Sequence, residues 1–132
     1  MEAKHYVERP SSADHVRARR ARHAESRLLD KGAGQLTPRP WQPDPATSPS
    51  AVDLTQYALW RSSELTPDEL LGSLSLLPAA RVELESVEVG LLFVARSEGL
   101  TWAHIAEAMG FRSPQACQQY VNRLSARQDG RA

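Results

Sequence analysis

Cysteine is almost missing from this sequence. Cys117 stands alone among 132 residues, which excludes an intramolecular disulfide and leaves no basis for a cysteine-built zinc site. Aromatic residues make up only 6%, so the expected core is small, aliphatic and rich in Ala and Leu. No apolar run approaches the roughly 18 residues that a bilayer-spanning helix needs. The N-terminal stretch MEAKHYVERPSS holds no hydrophobic segment that could act as a secretory signal. A soluble, intracellular protein without a membrane partner is therefore expected. Net charge is missing too, with 16 basic residues against 16 acidic. Overall basicity thus offers no argument for a nucleic-acid binder, and the local distribution of charge must be read instead. Phosphate-binding loops, dinucleotide fingerprints, zinc-protease motifs and nucleophile elbows do not occur. The four histidines, His5, His15, His23 and His104, do not fall at metal-ligand spacing. No enzyme, cofactor or metal is expected.

Composition divides the chain into three parts. Residues 1–31 form a basic arm. From residue 9 to 31, Arg9, Arg17, Arg19, Arg20, Arg22, Arg27 and Lys31 face only Asp14, Glu25 and Asp30, a net of +4. The arm can be helical from Ser12 or Asp14 to Gly32, but Val16, Leu28 and Leu29 are too few for a continuous buried stripe. Two readings of it stay open, a strand of charge laid along phosphates or a minor groove, and a solvated tail. Residues 32–52 hold five of the nine prolines (Pro38, Pro40, Pro43, Pro45 and Pro49). Proline fixes φ and restricts its predecessor, so an extended, stiff linker is expected here, with Trp41 inside it.

Residues 53–128 read as an all-α domain. Leu54, Tyr57, Ala58 and Arg61 recur at helical spacing behind a candidate N-cap, Asp53. Thr66, Pro67 and Glu69 spell a capping box with proline at the first helical position. Leu70, Leu71, Leu74 and Leu77 would supply that helix's buried side. The segment AARVELESVEVGLLFVARSEG is the longest helix candidate. Its expected inner face is Leu84, Val87, Leu91, Val94 and Ala95, and Gly99 closes it.

The stretch LTWAHIAEAMGFRSPQACQQYVNRLSARQ carries the functional signal. Thr101 caps a helix of about nine residues with Trp102, Ile105, Ala106 and Met109 along one face, and Gly110 stops it at a position that needs positive φ. Ser113 caps a second helix that starts at Pro114 and buries Ala116, Tyr120 and Leu124, with Cys117 at the edge of that stripe. Ile105, Met109 and Phe111 are expected to fill the wedge between the two helices, and the preceding helix would complete a three-helix core. The spacing is that of a helix-turn-helix at 101–127, preceded by one or two helices, the Pro-rich linker and the basic arm.

The outer face of the second helix is unusual for a merely solvated one. Gln115, Gln118, Gln119 and Asn122 project together, and no acidic residue falls between Ser113 and Arg127. A carboxamide carries a donor and an acceptor on one plane, matching the N6 and N7 edge of adenine in the major groove. Arg112, Ser113, Arg123 and Arg127 are the expected phosphate contacts, because guanidinium groups are always charged and present a fork of donors. Residues 111–132, with Arg131 among them, carry +3, while residues 81–110 carry −3. The zero total conceals a polarised molecule.

TWAHIAEAMGFRSPQACQQYVNRL resembles the helix-turn-helix of many small bacterial DNA-binding regulators. Those sequences read W-x-x-I-A-x-x-L-G, a hydrophobic residue, a polar turn, then Gln-Ala and a Tyr ahead of Arg-Leu. The matching residues are Trp102, Ile105, Ala106, Met109 (for Leu), Gly110, Phe111, Gln115, Ala116, Tyr120, Arg123 and Leu124. The segment is also similar to the DNA-reading region four of sigma factors. The resemblance covers about 25 residues, or about 50 with the preceding helix. It implies sequence-specific binding of double-stranded DNA in the major groove and a role in transcription regulation, in the cytoplasm at the nucleoid. Such regulators often carry Arg or Glu where Gln118 and Gln119 stand, so the base preference is this chain's own. A homodimer or tandem binding is expected, because one small module reads few base pairs. The helices at 53–64 and 66–77 are the candidate dimerisation elements, through Leu54, Tyr57, Leu70, Leu71 and Leu74. The competing expectation is a protein adaptor that engages RNA polymerase, a sigma factor or another regulator without touching DNA.

Overall fold

The computed structural model describes residues 12–37 and 49–130. Arg9, Trp41, Pro38, Pro40, Pro43, Pro45 and Arg131 lie outside them, with whatever was expected of each. All regular structure among the described residues is helical, without a strand: α1 (Ser12–Asp30), α2 (Ala51–Trp60), α3 (Pro67–Leu74), α4 (Leu77–Ser97), α5 (Trp102–Met109) and α6 (Pro114–Asp129). Among them no helix is long and apolar enough to cross a membrane. The chain divides into two compact units, Met1–Ala80 and Arg81–Ala132. The division therefore falls inside the first turns of α4, not at the start of the expected 53–128 domain.

In the first unit, α1 packs on α2 and α3. Its inner stripe is Ala21, Ala24 and Leu28, at spacings of three and four, and Ala24 and Leu28 are buried with Ala33, Leu54, Tyr57, Ala58, Leu65 and Leu76. This corrects the expectation that the arm has too few apolar residues for a continuous buried stripe. The stripe is built of alanines, which bring helices close while contributing little hydrophobicity, so a count of large apolar residues misses it. At the crossing of α1 and α3, a Cβ added to Gly72 would stand 2.9 Å from the Cβ of Ala24. Only glycine leaves room for this approach. The Tyr57 hydroxyl donates to the Lys31 carbonyl at 2.8 Å and fixes the end of α1 against α2.

Local start signals behave largely as their chemistry dictates. Thr66 Oγ1 accepts from the Glu69 backbone N–H, and Glu69 Oε1 accepts from that of Thr66, a complete capping box. α2, however, starts inside the expected linker. Ser50, not Asp53, is its N-cap, accepting from the Asp53 N–H at 3.1 Å, and residues Ala33–Gln35 of the same stretch form a 3-10 turn. On α3 the expected buried leucines Leu70, Leu71 and Leu74 are exposed, because the side facing α1 is the one that carries Gly72.

The second unit is built from α4, α5 and α6. Leu92, Ile105, Ala106, Cys117 and Leu124 form its core, with Val89, Ala95, Trp102, Phe111, Tyr120 and Val121 packed around them. Of the face expected to be buried on α4, only Ala95 packs. Leu84, Val87, Leu91 and Val94 are exposed, and Val89 and Leu92 take their place. α4 is apolar over two adjoining arcs, and its neighbours use the one that periodicity alone did not favour. Met109 also stays largely outside the wedge that Ile105 and Phe111 fill.

Candidate nucleic-acid interface

The turn between α5 and α6 follows from four residues. Gly110 adopts φ +78, a left-handed conformation that costs other residues roughly 1–2 kcal/mol. Its N–H reaches the Glu107 carbonyl at 3.2 Å, and the Phe111 N–H reaches that of Ala106 at 2.8 Å. These are the two bonds of a Schellman termination, and Phe111 folds back onto the core beside Ala106. Ser113 Oγ then accepts from the Ala116 N–H at 3.1 Å and starts α6, with Pro114 in its first turn where a missing N–H is harmless. Thr101 does the same for α5 through the His104 N–H. Ala106 is buried between the helices, so no large side chain holds α5 and α6 apart.

α6 turns Cys117 and Leu124 fully inward. Cys117 thus lies at the centre of the buried stripe instead of at its edge, while Ala116 and Tyr120 are half-buried. At about 100° per residue, Gln115, Gln118, Gln119 and Asn122 fall within an arc of roughly 100° on the opposite side, and all four are exposed. From Ser113 to Gln128 no carboxylate interrupts that face. Arg112, in the turn, and Arg123, one step round the helix, are both exposed beside it. Ser113 is half-buried, and its oxygen is occupied as the cap of α6.

Arg127 stands differently. Its Nη2 lies 3.4 Å from Glu85 Oε1 on α4, so one of the expected phosphate contacts is held against a carboxylate of the same unit. The pairing joins residues 42 apart in sequence and gives no local signal. The Glu88 carboxylate, one turn along α4, together with burial pushes the Tyr120 phenol above its ordinary range and keeps the proton on Tyr120. Burial, with the nearby Glu88 charge, likewise pushes the Cys117 thiol up, so it stays protonated and unreactive. Trp102 is half-buried at the entry of α5, with the Arg96 guanidinium 4.9 Å from its ring centre.

In the first unit, part of the arm's charge is already neutralised. Glu69 Oε2 lies 3.6 Å from both Arg27 Nε and Lys31 Nζ. The Thr66 N–H, followed by the Lys31 and Arg27 charges, holds the Glu69 carboxyl below its usual range. Arg17 pairs with Asp14. Arg19, Arg20 and Arg22 remain exposed on α1. No group of three or more His, Cys, Asp or Glu side chains suited to a metal ion occurs among the described residues.

Comparison of the chain with protein-family models, curated proteins and solved structures gives no match.

Proposed function

We propose that α5 and α6 act as a helix-turn-helix that binds duplex DNA in a sequence-dependent way, and that the protein regulates transcription at the nucleoid. α6 lies in the major groove, where Gln115, Gln118, Gln119 and Asn122 read base edges, and α5 crosses the backbone. Arg112, Arg123 and the Ser113 hydroxyl contact phosphates and set the register. Arg127 joins them once its pairing with Glu85 is exchanged for a phosphate.

One observation carries this reading: four carboxamides share a single exposed arc, without a carboxylate among them and with guanidinium groups at its border. Solubility alone is served by Glu and Lys. Side chains that both donate and accept in one plane are what base edges require.

The test is fluorescence anisotropy of a labelled random-sequence duplex titrated with the full chain. Binding is expected at low salt and should be lost by a few hundred millimolar, as counterion release demands. Arg112→Ala and Arg123→Ala should each flatten the plot of log affinity against log salt by about 0.9. A chain that leaves the duplex free at 50 mM salt contradicts the proposal and favours the adaptor that engages RNA polymerase, a sigma factor or another regulator.

A further inference from the structure

We infer that the outer face of α4 is a homodimer seam, on which a second copy of this chain lays its own α4 antiparallel. Leu84, Val87, Leu91 and Val94 are 58%, 58%, 66% and 55% exposed. They follow one another at spacings of three, four and three, the seam of a two-helix coiled coil and narrower than the stripe of a helix resting on a globular core. The core-facing arc of the same helix, with Val89, Leu92 and Ala95, is already filled by α5 and α6. The seam is thus a second apolar surface, left over after the unit has folded.

The surface continues past Leu91 into an open apolar groove of about 240 Å³ between α4 and α5, whose walls include Leu100 and Met109. Both side chains are also exposed. Six large apolar side chains at about 80 Å² each bring a pair of copies to the order of 1,000 Å² of buried surface, the lower bound for a specific protein interface. Scattered single leucines on a surface need no partner, but a contiguous patch of this size does.

The pattern is self-complementary about residue 89. In antiparallel pairing Leu84 faces Val94 of the second copy and Val87 faces its Leu91, so one two-fold axis satisfies every layer. Charge and dipoles favour this direction. Glu85 and Glu88 are turned to the α6 side, by Arg127 and Tyr120, and do not border the seam. An antiparallel pair brings exposed Glu98, just past the end of α4, towards exposed Arg81 of the other copy and opposes the two helix dipoles, whereas a parallel pair would set like ends side by side. Of the expected elements, the one at 53–64 has Leu54 and Tyr57 consumed in its own core, while the one at 66–77 keeps Leu70, Leu71 and Leu74 exposed on a helix of only eight residues. The seam is independent of what α6 binds.

Sedimentation velocity of the full chain from about 1 to 100 μM tests it. The expected result is a monomer–dimer equilibrium at micromolar concentration, weakened at least 30-fold by Leu91→Glu. That side chain is exposed, so the circular dichroism spectrum should be unchanged, as should the thermal transition at a concentration where wild type is monomeric. A chain that stays monomeric at 100 μM, or a dimer that Leu91→Glu and Val87→Glu leave intact, overturns the inference. Direction is read by oxidation, because Cys117 is buried and only introduced thiols react. A mixture of Val87→Cys and Leu91→Cys chains should form the mixed disulfide, while Val87→Cys alone should not. Self-linking of Val87→Cys would place the helices parallel and contradict the proposed pairing.

Discussion

Gly72→Ala separates the packing account of the first unit from helix propensity. On an open helix surface, replacing glycine by alanine stabilises by about 1 kcal/mol, since glycine loses more backbone freedom on folding. At Gly72 the new Cβ would meet the Ala24 Cβ at 2.9 Å, the Ala24 Cα at 3.6 Å and the Arg20 carbonyl oxygen at 3.8 Å. None of these is the end of a flexible side chain, so α1 and α3 must move apart. Overpacking of this kind costs about 1–3 kcal/mol. The propensity gain is cancelled or outweighed, and a net loss of up to about 2 kcal/mol is expected. Ala24→Gly removes the atom that is struck. Alone it should cost about 1 kcal/mol in propensity, but combined with Gly72→Ala it should restore the approach. The two substitutions should therefore couple favourably by about 1–2 kcal/mol in a double-mutant cycle. Urea unfolding followed by circular dichroism supplies the four midpoints. A Gly72→Ala protein more stable than wild type by the full propensity term, or strictly additive effects, would refute the close crossing of α1 and α3 and return α1 to an unpacked arm.

Other consequences are open to simple measurement. Glu69 has its carboxyl lowered in the folded chain, so its stabilisation is present above the unfolded value of about 4.3 and fades as pH falls through the lower folded value. Glu69→Gln should accordingly unfold at lower urea than wild type at pH 7, with the gap closing below about pH 4; a gap that widens on acidification would contradict the assignment. Cys117, fully enclosed with its thiol pushed up, should resist iodoacetamide at pH 8 in the native protein and react completely in denaturant. Rapid native alkylation would mean that the core of the second unit is open. Arg127→Ala should flatten the salt dependence of duplex binding by about 0.9 in log–log slope, at little cost in stability, because a half-exposed ion pair such as that with Glu85 contributes only about 0–1 kcal/mol. An unchanged slope would exclude Arg127 from the phosphate contacts.

What could be read from the sequence, and what could not, divides by range. The capping residues Thr66, Thr101 and Ser113 and the terminators Gly99 and Gly110 act on backbone groups a few positions away, and each stands where its local chemistry puts it. The all-α class follows from the same signals. α2 escaped in part because two hydrogen-bonding side chains, Ser50 and Asp53, competed for one N-terminus. The choice between the two apolar arcs of α4 is a tertiary decision, as 3.6-residue periodicity accepts either. The docking of α1 rests on Ala21, Ala24 and Gly72, small residues whose value lies in how closely two backbones approach. At the candidate interface the exposure of Gln115, Gln118, Gln119 and Asn122 agrees with the wheel drawn from Leu124. The Glu85–Arg127 pair spans two helices and leaves no trace in either segment.

The central claim is that the carboxamides of α6 read bases while the arginines beside them hold the backbone, and selection from a random duplex pool tests it most directly. Wild-type protein should enrich a short motif. Gln115→Ala and Asn122→Ala should each lose discrimination of about 1–3 kcal/mol at one position of that motif, with binding to unrelated duplex nearly unaltered. Enrichment of no motif, or an identical motif after both substitutions, would contradict the account.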